Sequence, residues 1–159
     1  MNFPPRISPV ILLFLFAVVG LHAGDLKVGQ PFPALADMQD QHEKAYPWPN
    51  DVRHVLVAYT MSVGKSANGY FAKQEKPESF LPEHQALFIA NVYGMPMVGR
   101  VFAMPKMRKY PHRIMLADVE GLLDKFPQQD KRVTVFDLDA TGNVAAIRFW
   151  DPDKQVLDF

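Results

Sequence analysis

Residues 132–150 read RVTVFDLDATGNVAAIRFW, and this stretch decides the fold. Arg132–Leu138 and Val144–Trp150 read as alternating strands, rich in β-branched and aromatic side chains. Between them lies Asp139-Ala140-Thr141-Gly142-Asn143, whose glycine accepts the positive φ that a tight reversal needs. The stretch predicts a β-hairpin. Working outward, three short apolar runs predict buried strands at His54–Thr60 (HVLVAYT), Ala86–Val92 (ALFIANV) and Arg113–Ala117 (RIMLA). The first of these is the central strand.

The intervening segments carry helical signals. Ser66–Lys76 opens on an N-cap serine and is weakened by Gly69. Met97–Lys109 places Val98, Val101, Phe102 and Met104 at helical spacing, with Pro105 as a kink. A loop with Pro77 and Pro82 separates the first helix from its next strand, and Val119–Lys125 forms a short helix or turn. Ahead of all this, Asp25–Pro49 is punctuated by Pro31, Pro33, Pro47 and Pro49 around a polar middle, which predicts short strands about a turn. Strands alternating with helices and closing on an antiparallel hairpin give a mixed sheet covered by helices, an α/β architecture.

The first 23 residues read as an address. Arg6 supplies a positive start, Val10–Val19 is an unbroken apolar stretch, and Leu21-His22-Ala23 ends on a small residue. A secretory signal peptide cleaved after Ala23 is expected, placing the protein in the periplasm or outside the cell, with residues 24–159 as one domain. Leu21, where a small residue is usual, leaves an uncleaved anchor as the alternative. No later stretch is long enough to cross a membrane, which takes about 20 apolar residues.

Composition excludes several chemistries. Lys plus Arg number 17 and Asp plus Glu 17, so no basic excess exists to displace counterions from nucleic acid. Removing residues 1–23 takes away Arg6 and no acid, leaving 16 basic against 17 acidic residues. Cysteine is absent, which removes disulfides, thiolate metal ligation and thiol redox catalysis.

The order of elements resembles the thioredoxin-like fold, in the extended form of peroxiredoxins and periplasmic thiol-disulfide proteins, over Lys27–Trp150. Three stretches carry the likeness: Val28-Gly29-Gln30-Pro31-Phe32-Pro33-Ala34-Leu35 near the start, Val55–Tyr59 leading toward the active-site loop, and Thr134–Val144 in the late hairpin. Asn91-Val92-Tyr93-Gly94-Met95-Pro96 is similar to a segment of small cysteine-less exported proteins of this fold. The resemblance implies an N-terminal β-hairpin extension and a C-terminus truncated after Trp150, where a covering helix is usual. It places the two active-site cysteines near Gly64 and Ala67, in a vestigial loop Gly64-Lys65-Ser66-Ala67, and the family's cis-proline near Val133. None of these positions keeps the family residue. It also implies a face that grips extended peptides, here Met61–Ala67 with Met95, Pro96 and Val133.

Other candidate sites stand beside plainer readings. Gly64-Lys65-Ser66 suggests a phosphate cradle, but the P-loop glycine five residues earlier is replaced by Tyr59, so a structural turn is preferred. His42, His54, His84 and His112 show no metal-site spacing. Met95, Met97, Met104 and Met107 fall within thirteen residues and are soft ligands for Cu(I), or core packing. Arg100, Lys106, Arg108, Lys109 and Arg113 form the one basic cluster, a solvated helix face or a dock for an acidic partner or anionic lipid. Thr60, Ser62 and Ser66 offer hydroxyls with no base placed beside them, and Asp118, Glu120, Asp137 and Asp139 are carboxylates at strand ends.

The reading is a redox-inactive binding or accessory protein of the cell envelope, needing no cofactor. Its partner is a protein or peptide, not nucleic acid, with a second copy of the chain as a further candidate. A Met/His copper protein and a cysteine-independent enzyme are the alternatives.

Overall fold

The computed structural model describes residues 25–35 and 38–159; the expected signal peptide lies outside them. Six strands form one mixed sheet in the order β1-β4-β3-β2-β5-β6. These are β1 (Gln39–Asp40), β2 (His54–Ala58), β3 (Ala86–Asn91), β4 (Met115–Ala117), β5 (Val133–Leu138) and β6 (Val144–Trp150). β2, β3 and β4 run parallel, β5 returns antiparallel beside β2, and β6 completes the expected hairpin. The turn closes on Asp139, whose Oδ1 accepts from the backbone N–H groups of Thr141 and Asn143 at 2.8 and 3.0 Å, with Gly142 at φ +82°.

Strand alternation splits the interior into two cores. Leu56, Ala58, Phe88, Ala90, Val133 and Val135 face one side; Val55, Val57, Leu87, Ile89 and Phe136 face the other. Each central strand is buried on both faces, which explains runs that are apolar throughout. On the first side lie three helices: α1 (Met61–Phe71), α2 (Phe80–Glu83) and α3 (Met97–Met107). The second side has no helix among the described residues. It is covered by the proline-rich segment and by turns at 119–126, where Phe32 meets Trp48, Phe126 and Phe136 at ring distances of 5.3–5.4 Å.

Several expectations change. α1 starts at Met61, not Ser66, because Thr60 caps it (Val63 N–H donates to Thr60 Oγ1 at 3.4 Å). Val63, Ala67 and Phe71, spaced i, i+4, i+8, then fall on one buried stripe. The expected N-terminal hairpin is reduced to β1 and a single bridge, Gln39 to Ala45. Prolines and a compact polar turn leave no room for a longer ladder. The loop with Pro77 and Pro82 contains α2, and Val119–Lys125 resolves as turns.

Two of the predicted basic residues are staples. Arg113 donates to Asp40 Oδ2 at 2.9 Å and to the Ala45 carbonyl at 2.7 Å, and its guanidinium lies 4.0 Å from the centre of the Tyr46 ring. Arg108 reaches the Gln41 carbonyl and the Glu43 carboxylate. Together they tie β1 and its turn to β4 and α3. Burial pushes the Asp40 carboxyl upward, but Arg113 and the N–H groups of Lys44 and His42 outweigh it and hold it below the usual carboxylate range.

The segment after Trp150 is an extended tail packed on the first face. Leu157 is buried there, its N–H donating to the Tyr70 hydroxyl at 3.0 Å, and Trp150 Nε1 donates to the Gln155 carbonyl at 3.0 Å. Phe159 stacks on His84 at 4.4 Å. These side chains cover the face that a C-terminus truncated after Trp150 would leave bare. Four exposed large apolar residues, Met97, Val98, Val101 and Phe102, lie together on α3.

Candidate functional site

α3 sits apart from the sheet. Of its residues only Met107 is buried, while Met97, Val98, Val101 and Phe102 are 77%, 69%, 61% and 66% exposed. Of the apolar residues whose spacing predicts the helix, Val98, Val101 and Phe102 face outward, and Met104 packs against the first core. Met107 and the half-buried Met104 anchor its last turns to the first core, and its first turns are held by polar contacts. Arg100 makes a two-pronged ion pair with Asp118 and donates to the Val92 carbonyl at 3.1 Å. Pro105 removes a helical donor in the last turn, where the helix ends two residues later.

Between α1 and α3 lies a cleft of about 340 Å³. One wall comes from the first two turns of α1, with Thr60, Met61, Gly64, Lys65 and Asn68. The opposite wall comes from α3 and its approach, with Met95, Gly99, Phe102 and Lys106. The C-terminal end of β3, Met107 and Tyr110 close the floor. A Cβ at Gly99 would meet Met95 Cγ on its own wall at 3.3 Å and Met61 Cε across the cleft at 3.9 Å.

Under this cleft is a buried polar pair. Asn68 and His112 are 3% and 1% exposed, and His112 Nε2 donates to Asn68 Oδ1 at 2.8 Å. The imidazole lies between Phe71 and Tyr110, and its Nδ1 has no partner. Burial pushes its pKa down to about 4, so it is neutral near pH 7. Asn68 Nδ2 has no protein partner among the described residues. Sequence reasoning missed this pair because the two residues stand 44 positions apart.

The predicted site residues divide. Met61, Gly64, Lys65 and Met95 line the cleft, and Pro96 caps α3 at its rim. Gly64, Lys65, Ser66 and Ala67 do not form a loop: they lie inside α1, with Gly64 and Ala67 buried against the sheet and Ser66 donating to Asp153 at 3.0 Å. The helix N-terminus, where a backbone dipole would activate a thiol, is at Thr60–Val63. Val133 is fully buried as the first residue of β5 and presents nothing to a ligand, because its side chain points into the first core.

The four methionines are dispersed, with Met107 in the core, Met95 and Met104 packed against it and Met97 in solvent. Among the described residues no group of three or more His, Asp or Glu is placed to hold a metal ion. His54 joins Asp137 at 2.7 Å, and Arg148 binds the same carboxylate through two nitrogens at 2.6 and 2.8 Å, a clamp across β2, β5 and β6. Burial raises the Asp137 pKa, but Arg148 and His54 outweigh it and hold the carboxyl below its usual range. His84 donates from Nδ1 to the Phe80 carbonyl and stacks on Phe159, and His42 is exposed. No described helix is long and apolar enough to cross a membrane.

No protein-family model matches the sequence, and no curated protein does. Solved structures match at the level of the backbone. A proposed protein disulfide isomerase from Bacteroides thetaiotaomicron aligns with a TM-score of 0.52 at 13% identity, over 78% of this chain and 79% of its own. A thio-disulfide isomerase from Thermus thermophilus gives 0.49 at 16%, over 78% and 87%. A peroxiredoxin-like protein from Aquifex aeolicus gives 0.48 at 15%, over 80% and 78%. The first of these, at low identity, defines the fold: a thioredoxin-like α/β domain. This one carries no cysteine, so the thiolate that performs disulfide exchange in such proteins has no counterpart in the chain.

Proposed function

We propose that this is an exported, redox-inactive thioredoxin-like binding module that catalyses no reaction of its own and docks a partner protein on the α1–α3 face. The carrying observation is the outward apolar stripe Met97, Val98, Val101 and Phe102, contiguous with the cleft through Phe102. A patch of large apolar side chains on an otherwise well-packed domain marks an interaction surface. Its surroundings are basic: α3 carries no acid, Lys65 and Lys106 border the cleft, and Lys109 follows the helix. The complementary partner is therefore apolar at its centre and acidic at its rim. Export rests on the sequence of residues 1–23, and the copper and enzyme alternatives gain no specific observation.

The test is light crosslinking of the purified protein in an envelope extract, beside the Val101→Asp/Phe102→Asp variant. Both side chains are exposed, so the variant should melt at the wild-type temperature. The proposal expects a captured partner that the variant loses. Equal capture by the two proteins, or none by either, refutes it.

A further inference from the structure

We propose that the α1–α3 cleft binds a small amphipathic carboxylate, its apolar body inside and its anionic head between Lys65 and Lys106. This rests on the reading of that face as a binding site and names the ligand chemistry the cleft itself would take.

The cleft walls are mainly apolar, with Met61, Met95, Phe102 and Met107 among them. Its charged lining residues are two lysines and no acid, and neither lysine makes an ion pair among the described residues. Arg100, Arg108 and Arg113 are already paired with Asp118, Glu43 and Asp40. The positive end of α1 faces the same space, its first turn carrying no acid. The independent observation is Asn68. It lines the cleft, is almost wholly buried, has its Oδ1 taken by His112, and keeps an Nδ2 donor without a protein partner. That N–H group opens on the cleft, where a ligand carboxylate oxygen can accept from it.

Size narrows the class. A volume of about 340 Å³ lies at the low end for small-molecule sites and equals about eleven water volumes. A carboxylate with an eight-carbon chain, or one ring, fits this space; a phospholipid with two long chains does not.

Isothermal titration with sodium octanoate, with 1-octanol and octylammonium as neutral and cationic matches, tests the proposal. One octanoate is expected to bind per chain, at least tenfold tighter than either match. Lys65→Met/Lys106→Met should remove that preference while octanol binding persists. Gly99→Leu, which fills the cleft from the α3 wall, should abolish binding of both without lowering the melting temperature. No octanoate binding, equal affinity for the three compounds, or octanoate binding that survives Gly99→Leu overturns the proposal. Partner capture that depends on Val101 and Phe102 can persist in each of those cases, so failure here is separable from failure of the docking reading.

Discussion

Acid should destabilise this protein well above the pH at which its carboxylates protonate, and His112 is the reason. In the unfolded chain its imidazole titrates near the ordinary value of about 6.5. In the folded protein burial holds it to about 4, because its neighbours are Phe71, Tyr110 and the Asn68 amide, none of them charged. Between those values the unfolded state binds a proton that the native state refuses, so stability rises with pH across this window and falls as acid is added. The linkage amounts to about 2 kcal/mol lost between pH 7 and pH 5, and about 3 kcal/mol by pH 4. Asp40 and Asp137 act in a separate window: their pKa values are lowered, so their contribution is present above about pH 4 and lost only below it. Urea unfolding at pH 7, 6, 5 and 4.5 measures the effect, with His112→Phe as the non-titrating reference. The variant removes the Asn68 partner and will be less stable at every pH, but its pH dependence should be flatter by about 2 kcal/mol. Parallel curves for the two proteins would refute the assignment.

Arg113→Met leaves Asp40 buried without its cation; urea unfolding should show a loss of about 2 kcal/mol, and a cycle with Asp40→Asn should show coupling between the pair. Gly99→Ala should raise the melting temperature. The helix gains about 1 kcal/mol, and the only close contact for the new methyl is the flexible side chain of Met95. A lower melting temperature would mean that Met95 is held rigidly. Leu157→Ala should cost about 2–4 kcal/mol in urea unfolding if the tail is part of the first core, and almost nothing if it is not.

The strands were legible in the sequence because their signal is local. An apolar run such as HVLVA has no stable place except between two covered faces, and the Asp139–Asn143 turn fixes the register of β5 on β6. The absence of cysteine, read directly, leaves these 159 residues without a thiolate. The α3 segment shows where such reading stops. Its helical spacing is real, but periodicity reports only that apolar residues share a side, and the direction of that side is set by what lies opposite. Here Arg100, Arg108 and Arg113, which look like one basic surface when counted along the chain, are drawn onto Asp118, Glu43 and Asp40. The Arg100 and Arg108 pairings hold α3 at its start and its end and leave its outward stripe uncovered. The start of α1 differs for a related reason: Ser66 is the better cap by type, but burial of Val63 places the start at Thr60. The sequence by itself determined the strands and the hairpin, which depend on residues near one another, and the absence of any cysteine, which is a matter of composition. Only the tertiary structure decided that Asn68 meets His112, that the last nine residues close the first core, and that a cleft opens between α1 and α3, because each depends on groups brought together from distant parts of the chain.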